Sequence, residues 1–416
     1  MQRLNASINL DRLKTLLDGV NRFGFDPPTG GYNRLGFSRA DIECRSWFAG
    51  QMRDDGLTVW TDGALNVFGR YGPESGPCIM AGSHLDTVAD GGAFDGSLGA
   101  CVALECVRAM KEAGLEPATA IEVAATSEEE GRFGGMLGSQ AITGALTRDW
   151  IDTAADASGH RLADVIAAQG LDPYAILGAA RTGESIRAFL ELHIEQGPVL
   201  ESEGFSIGIA DRVSGVCYLE MTLRGVANHS GTTPMHLRAD AFAGLSELAQ
   251  TIPALIAEDG TDQSRITIGH VRLSPNQPHT IPGTALFSVI LRDTSETVMR
   301  ALRKGFTDNA HAIAARQGLM LQTVERSWLP PVPLDRDLAD RLEALAANAG
   351  LAACRMSSGA GHDAQTMQAL CPSGLIFVPS RSGISHAPGE FSAWPDIEKG
   401  ADLMLRALID MSGAGA

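Results

Sequence analysis

No stretch of this 416-residue chain approaches the roughly 18–20 consecutive apolar residues that a membrane-crossing helix needs. No membrane helix is therefore expected. Basic residues are also scarce, with 33 Lys plus Arg against 50 Asp plus Glu and a formal charge of −17. That balance argues against nucleic acid or an anionic membrane surface as a partner. It says little about the substrate, because a bound cation can reverse the local field of a site. Cysteine-pairing signals are missing too. The seven cysteines (Cys44, Cys78, Cys101, Cys106, Cys217, Cys354 and Cys371) are odd in number and form no Cys-x-x-Cys pair. Several lie inside apolar runs, which fits buried, reduced thiols in a cytoplasmic protein and not a catalytic nucleophile. Residues 1–10 are polar and amphipathic and lack the apolar core of a secretion signal. No internal repeat or low-complexity tract stands out.

What the chain does have is a series of apolar runs that each stop just before a His or a carboxylate, with Gly following within a few residues. The segments are Gly-Ser-His84-Leu-Asp86-Thr, Gly-Ala-Phe-Asp95-Gly, Glu128-Glu129-Glu130-Gly, Glu191-Leu-His193-Ile-Glu195-Gln196-Gly and Gly-Ile-Ser-His386-Ala-Pro. Strand ends that feed loops are where open α/β sheets place their chemistry. Imidazole nitrogen with carboxylate oxygen, and no thiolate in the set, suits Zn, Mn, Co or Ni in a hydrolytic centre. Taken singly, each His has an ordinary reading as a core or surface residue, and the acidic triplet reads as a solvated helix start. Their co-occurrence in this order is what points to a metal site.

The apolar spacing predicts helices at 10–23, 38–55 and 97–112, with strands at 57–60, 65–71, 78–83, 119–126, 189–193 and 375–379. Such alternation predicts a mostly parallel central sheet covered by helices. Between about 211 and 326 the pattern changes to strand 216–224, helix 239–256, strands 266–273 and 285–293, helix 297–317 and strand 319–325. That β-α-β-β-α-β order is the ferredoxin-like arrangement. It is read as an insertion, 212–326, within a discontinuous catalytic domain of 1–211 and 327–416, because His386 must return to the first sheet to complete the set.

The tracts Gly-Ser-His84-Leu-Asp86-Thr-Val, Leu-His193-Ile-Glu195-Gln196-Gly-Pro-Val-Leu-Glu and Asn-His229-Ser-Gly-Thr-Thr-Pro-Met are specific. By these the chain resembles the amidohydrolase branch of the two-metal aminoacylase and carboxypeptidase-G clan. That branch holds N-carbamoyl-L-amino acid hydrolases, β-ureidopropionases and allantoate amidohydrolases, and the likeness runs from Asn33 to His386. The resemblance implies two divalent ions, one on His84, Asp95 and His193 and the other on Asp95, Glu130 and His386, with Asp95 bridging. It assigns Glu129 as general base and leaves Glu128 as a solvated neighbour. Asp86, two residues beyond His84, lies on the same side of an extended chain and can accept the second imidazole N–H to fix the tautomer.

His193 stands where the peptidase relatives usually carry a carboxylate. Gln196, Asn276 and Arg292 resemble substrate contacts, with Arg292 forking onto a carboxylate. His229 resembles the histidine that stabilises the oxyanion, a residue the partner of a dimer can supply. One departure stands out. The family's Asn-Val-Ile-Pro-Gly loop here reads His279-Thr-Ile-Pro-Gly, so His279 replaces an amide contact. The expected protein is a cytoplasmic homodimeric metalloamidohydrolase. Its substrate would be a small molecule carrying both a carboxylate and a carbamoyl group, foremost an N-carbamoyl-L-amino acid. Allantoate and N-carbamoyl-β-alanine are the alternatives, with aminoacylase or peptidase activity behind them. A catalytically dead binding homologue would be expected to have lost a ligand or the base, and neither is missing.

Overall fold

The structure, a computed structural model, describes residues 6–414. The start of the polar N-terminal segment, residues 1–5, lies outside the described residues. The chain forms two compact units: one runs to Asp211 and resumes at Pro333, and the other is Arg212–Val332.

The larger unit is built on a mixed nine-stranded sheet. Its four central strands lie in the order Ser373–Val378, Ile186–Ile194, Cys78–His84 and Ala120–Thr126, and all run parallel. Val67–Tyr71 and Thr58–Thr61 continue the sheet antiparallel on one side, and Ile207–Val213 does so on the other. Cys78–His84 and Ala120–Thr126 are buried at every position, as expected where helices cover both faces of a parallel sheet. Parallel neighbours need a crossover, and helix Ser97–Glu112 supplies it between these two strands. This helix is buried almost all round. Its Leu98, Val102 and Leu104 join Leu13 and Leu17 of helix Leu10–Val20 and Leu403 and Leu405 of helix Trp394–Ser412 in one core. Glu105 on the same helix is fully buried and satisfied. It accepts from Arg12 Nε at 2.7 Å, Arg12 Nη2 at 2.7 Å and the backbone N–H of Asn9 at 2.9 Å. All seven cysteines are free.

The smaller unit is a four-stranded antiparallel sheet in the order Arg265–Ser274, Thr284–Asp293, Gly215–Arg224, Met320–Leu329. Burial alternates along its two inner strands. Their register pairs Cys217 with Leu291, Leu219 with Val289, Met221 with Phe287 and Leu223 with Ala285. One apolar face results, and Met299, Leu302 and Phe306 of helix Glu296–Gln317 pack on it. The single helix predicted at 239–256 is two, Ala241–Gln250 and Ile252–Asp259. Pro253 lies in the first turn of the second, a place that tolerates its missing N–H where a helix interior does not. No helix of the described residues is long and apolar enough to cross a membrane.

Candidate metal centre

The parallel strands deliver their polar residues to one edge of the sheet. His84 closes Cys78–His84, His193 lies one residue before the end of Ile186–Ile194, and Glu128, Glu129 and Glu130 follow Ala120–Thr126. His386 sits in the loop after Ser373–Val378 with φ +54°. Asp95 lies just before helix Ser97–Glu112. Between them Gly96 adopts φ +59°, and a Cβ there would stand 2.3 Å from the His84 ring. Only glycine meets both conditions.

These side chains converge. His84 Nε2 lies 3.5 Å and His193 Nε2 3.0 Å from Asp95 Oδ1, while His386 Nε2 lies 3.1 Å from Asp95 Oδ2. Glu129 Oε2 is 3.7 Å from His84 Nε2, and Glu130 Oε2 is 3.4 Å from His386 Nε2. The two adjacent glutamates thus diverge to different histidines. Among the described residues, two of the three sets with the spacing of metal ligands share Asp95: His84, Asp95 and His193, and Asp95, Glu130 and His386.

The hydrogen bonds test whether a cation fits. His84 Nδ1 is 3.0 Å from the carbonyl of Asp86, and His193 Nδ1 is 2.9 Å from that of Ile194. A carbonyl only accepts, so both Nδ1 atoms carry the proton. In a neutral ring each Nε2 then points a lone pair at a carboxylate oxygen. Moreover, the backbone N–H of Gly96 approaches His193 Nε2 at 3.3 Å as a donor. Acceptor facing acceptor in a buried site is resolved by a positive charge between them, and the nitrogen and oxygen donors suit a divalent transition ion.

With no ion between them, the same contacts instead require protonated rings: against burial, the nearby carboxylates raise the proton affinity of His84 and His193. Burial opposes the charge on Asp95, yet hydrogen bonds from His193, His386 and His84 hold its carboxyl well below the usual range. The bond to Asp95 lifts His386 to about 9. Burial, then the charge of Asp95, pushes Glu130 up to about 7. Burial likewise drives Glu129 well above the ordinary carboxylate value, with Glu130 and Asp363 adding to it.

Two sequence readings change. Asp86 does not hold the His84 tautomer with its carboxylate, which is 3.9 Å from Nδ1. Its main-chain carbonyl does that. The carboxylate instead accepts the backbone N–H groups of Glu129 (3.3 Å) and Glu130 (3.2 Å) and lies 3.5 Å from buried Arg45. Glu128 is not solvated: it is fully buried, accepts from the backbone N–H of Phe133 at 2.6 Å, and burial pushes it up to about 8. A residue in the left-handed region (φ +51°) turns inward what a helix start would have turned out.

Gln196, also left-handed at φ +58°, lies beside the second set. Its Nε2 donates to Asp95 Oδ2 at 2.9 Å and to Ser385 Oγ at 3.1 Å, and its buried Oε1 has no partner among the described residues. Residues not anticipated from sequence complete the surroundings. Glu390 accepts from the backbone of the Asp95 loop, and His362 stacks edge-on against His193 with ring centres 4.5 Å apart. Buried Glu191 accepts from Ser83 Oγ at 2.7 Å. Glu191, His193 and His362 also have ligand spacing, but they share His193 with the first set.

Four sequence-identified residues belong to the smaller unit. His229 pairs with Thr280, and the backbone N–H of Ser230 donates to the carbonyl of His279 at 3.0 Å, so the 228–230 and 279–281 segments continue the ladder past Arg224 and Thr284. Asn276, exposed at φ +52°, lies in the same loop. Arg292 is half-buried and burial lowers its guanidinium from the ordinary value. It pairs with Val216 at the opposite end of the strand from Thr284. At about 3.3 Å per residue, that separates Arg292 from the His229 end by about 26 Å. The strand therefore keeps Arg292 apart from His229, Asn276 and His279.

The model of Peptidase family M20/M25/M40 matches residues 80–410. An N-carbamoyl-L-amino-acid amidohydrolase of Paenarthrobacter aurescens is 35% identical over 405 residues, covering 96% of this chain and 97% of that protein. An allantoate amidohydrolase of Escherichia coli K12 is 33% identical over 407 residues, covering 96% and 97%. A crystal structure of a hydantoinase/carbamoylase family amidase from Burkholderia multivorans superposes with a TM-score of 0.90 at 30% identity, covering 98% of this chain and 99% of that one. The chain belongs to peptidase family M20/M25/M40, and within it to the amidohydrolases that act on C–N bonds other than peptide bonds.

Proposed function

We propose that the protein hydrolyses the carbamoyl C–N bond of an N-carbamoyl-L-amino acid, yielding the amino acid, ammonia and CO2. The observation that carries this reading is Asp95, faced on both oxygens by imidazole Nε2 atoms with Glu129 and Glu130 alongside. His84, Asp95 and His193 are assigned to one divalent ion, and Asp95, Glu130 and His386 to a second, drawn from Zn, Mn, Co or Ni. Ions bound there polarise a carbonyl oxygen and lower the pKa of water.

The chain's own groups handle the protons. Glu129, whose buried carboxyl has a raised proton affinity, takes the proton of the attacking water and returns it to the leaving nitrogen. Asp86 holds the backbone of both glutamates from behind. Gln196 Oε1, a buried acceptor without a partner among the described residues, is assigned to the N–H of the carbamoyl group. His229 Nδ1 already accepts from the backbone N–H groups of Gly231 (3.0 Å) and Thr232 (3.2 Å). Its ring proton therefore sits on Nε2, a donor suited to a developing oxyanion. Arg292 is assigned to the substrate carboxylate, and Asn276 and His279 to the binding loop.

The separation between Arg292 and His229 exceeds what two side chains and one amino-acid-sized substrate span together. We therefore assign the two residues serving a given substrate to different copies, which makes the active species a homodimer with the smaller unit as its dimerisation and lid domain. Strand Arg265–Ser274, at the sheet edge with Val271 exposed, offers a surface for that association. Seven unpaired cysteines support a cytoplasmic location.

Release of ammonia, and of free α-amino groups where no ammonia can form, tests the substrate across a panel. The panel holds N-carbamoyl-L- and D-amino acids, N-carbamoyl-β-alanine, allantoate, N-formyl and N-acetyl amino acids, and dipeptides. The L-carbamoyl compounds should be turned over fastest. Allantoate is the second reading, supported by the 33% identity to the allantoate amidohydrolase of Escherichia coli K12, and turnover of allantoate alone would establish it. Amine release from dipeptides alone would overturn both.

A further inference from the structure

Glu390 lies four residues past His386, 5% exposed, and no step above uses it. One of its oxygens accepts the backbone N–H of Phe94 at 2.9 Å and that of Asp95 at 3.0 Å. The other accepts Ser385 Oγ at 2.8 Å and the backbone N–H of His386 at 3.3 Å. A single buried carboxylate thus gathers four donors from two loops almost 300 residues apart in sequence. The fit is close: a Cβ on Gly92 would come within 2.1 Å of its carboxyl group. By contrast, His84 and His193 are fixed by carbonyls of their own strand ends, Asp86 and Ile194. The set of Asp95, Glu130 and His386 draws on both loops that Glu390 ties together, whereas the set of His84, Asp95 and His193 draws on one of them.

We propose that Glu390 is a positioning residue that holds the Asp95 loop and the His386 loop in register, and so sets the affinity of the second metal position selectively. The proposal rests on the two-ion reading given above. Removing the carboxylate leaves three buried backbone N–H donors without their acceptor, and leaves only the weaker links through Gln196 and Ser385 between the Asp95 and His386 loops. His386 pays most, because its left-handed backbone (φ +54°) has to be held by its surroundings. Loss of an outer-sphere partner of this kind costs about 10- to 100-fold in metal affinity.

The test is a cobalt(II) titration of chelator-stripped full-length protein, followed by visible absorption, with ion content measured after gel filtration. Wild type should take up two ions per chain. Glu390→Ala should bind the first ion within about threefold of wild type and the second at least about tenfold more weakly. Glu390→Gln can still accept from Phe94 and Asp95 but turns a donor toward His386. It should weaken the second ion by a smaller factor, and it decides the question if the alanine variant does not fold. Glu105→Gln, which alters a buried carboxylate bonded to Arg12, should leave both constants unchanged.

Equal weakening of both ions by the Glu390 variants, or the same loss in Glu105→Gln, would mark Glu390 as a general stabiliser and overturn the proposal. So would two wild-type ions with an unchanged second constant in Glu390→Gln. Fewer than two ions in wild type would overturn the two-ion reading itself, a distinguishable failure that takes this proposal with it.

Discussion

Each oxygen of Asp95 faces imidazole nitrogen, and the adjacent glutamates separate toward different rings, Glu129 to His84 and Glu130 to His386. That divergence gives the two acids different expected phenotypes. Glu129→Gln should keep ion content near that of the parent and lower kcat by about 10²-fold or more, the loss typical of a removed general base. Glu130→Gln should instead lose occupancy at one metal position. Ion analysis of the two purified variants checks this, and the reverse pattern would mean the roles are exchanged. Arg292 is the residue assigned above to a substrate carboxylate. Arg292→Lys keeps the charge and loses the planar fork, so kcat/KM for carboxylated substrates should fall, and fall further in Arg292→Ala. The full loss is expected to be about 2–5 kcal/mol, as for a truncated charge-assisted pair. A matched neutral amide is the control, and equal losses on both substrates would make Arg292 structural.

At the scale of elements, helix Leu10–Val20 docks on helix Ser97–Glu112 through apolar contacts and through the Arg12 fork on Glu105. Glu105 is fully buried, so Arg12→Ala strands a carboxylate, which should destabilise the protein by about 3 kcal/mol. Adding Glu105→Gln should recover part of that loss, and urea unfolding of the single and double variants reads both. An additive pair would show the fork to be of little consequence.

The same elements show what a sequence can disclose. The strands ending at His84 and His193 were legible because burial on both faces makes a continuous apolar run, and the first polar residue after it marks the edge of the sheet. The ferredoxin-like order was legible from period-two alternation in 216–224 and 285–293. The break at Thr251 was not, because Ile252, Leu255 and Ile256 sustain an apolar spacing through the turn. Nor was the burial of Glu128, which follows from one left-handed backbone angle. The bonds from Glu390 to the Asp95 loop leave no local trace, since the partners meet only when the parallel sheet is assembled.

For the molecule as a whole, a chelator should abolish turnover, and Mn, Co, Ni or Zn should restore it. Full activity in verified metal-free protein would sink the mechanism. The placement of Arg292 and His229 at opposite ends of one strand yields a sharper test. Arg292→Ala and His229→Ala should each be nearly inactive alone. Mixed and re-equilibrated, they should recover about a quarter of wild-type activity, the statistical share of intact sites when half the dimers are mixed and each mixed dimer carries one. No recovery would return both residues to the same copy. The rigid length of that strand also has a kinetic consequence. A protein whose substrate is enclosed by residues from two chains obeys a rate law in which its own concentration appears as a reactant. Diluted below the dissociation constant of the pair, it should lose specific activity while each chain stays folded and charged with metal, so that turnover per chain reports self-association as directly as any measurement of mass.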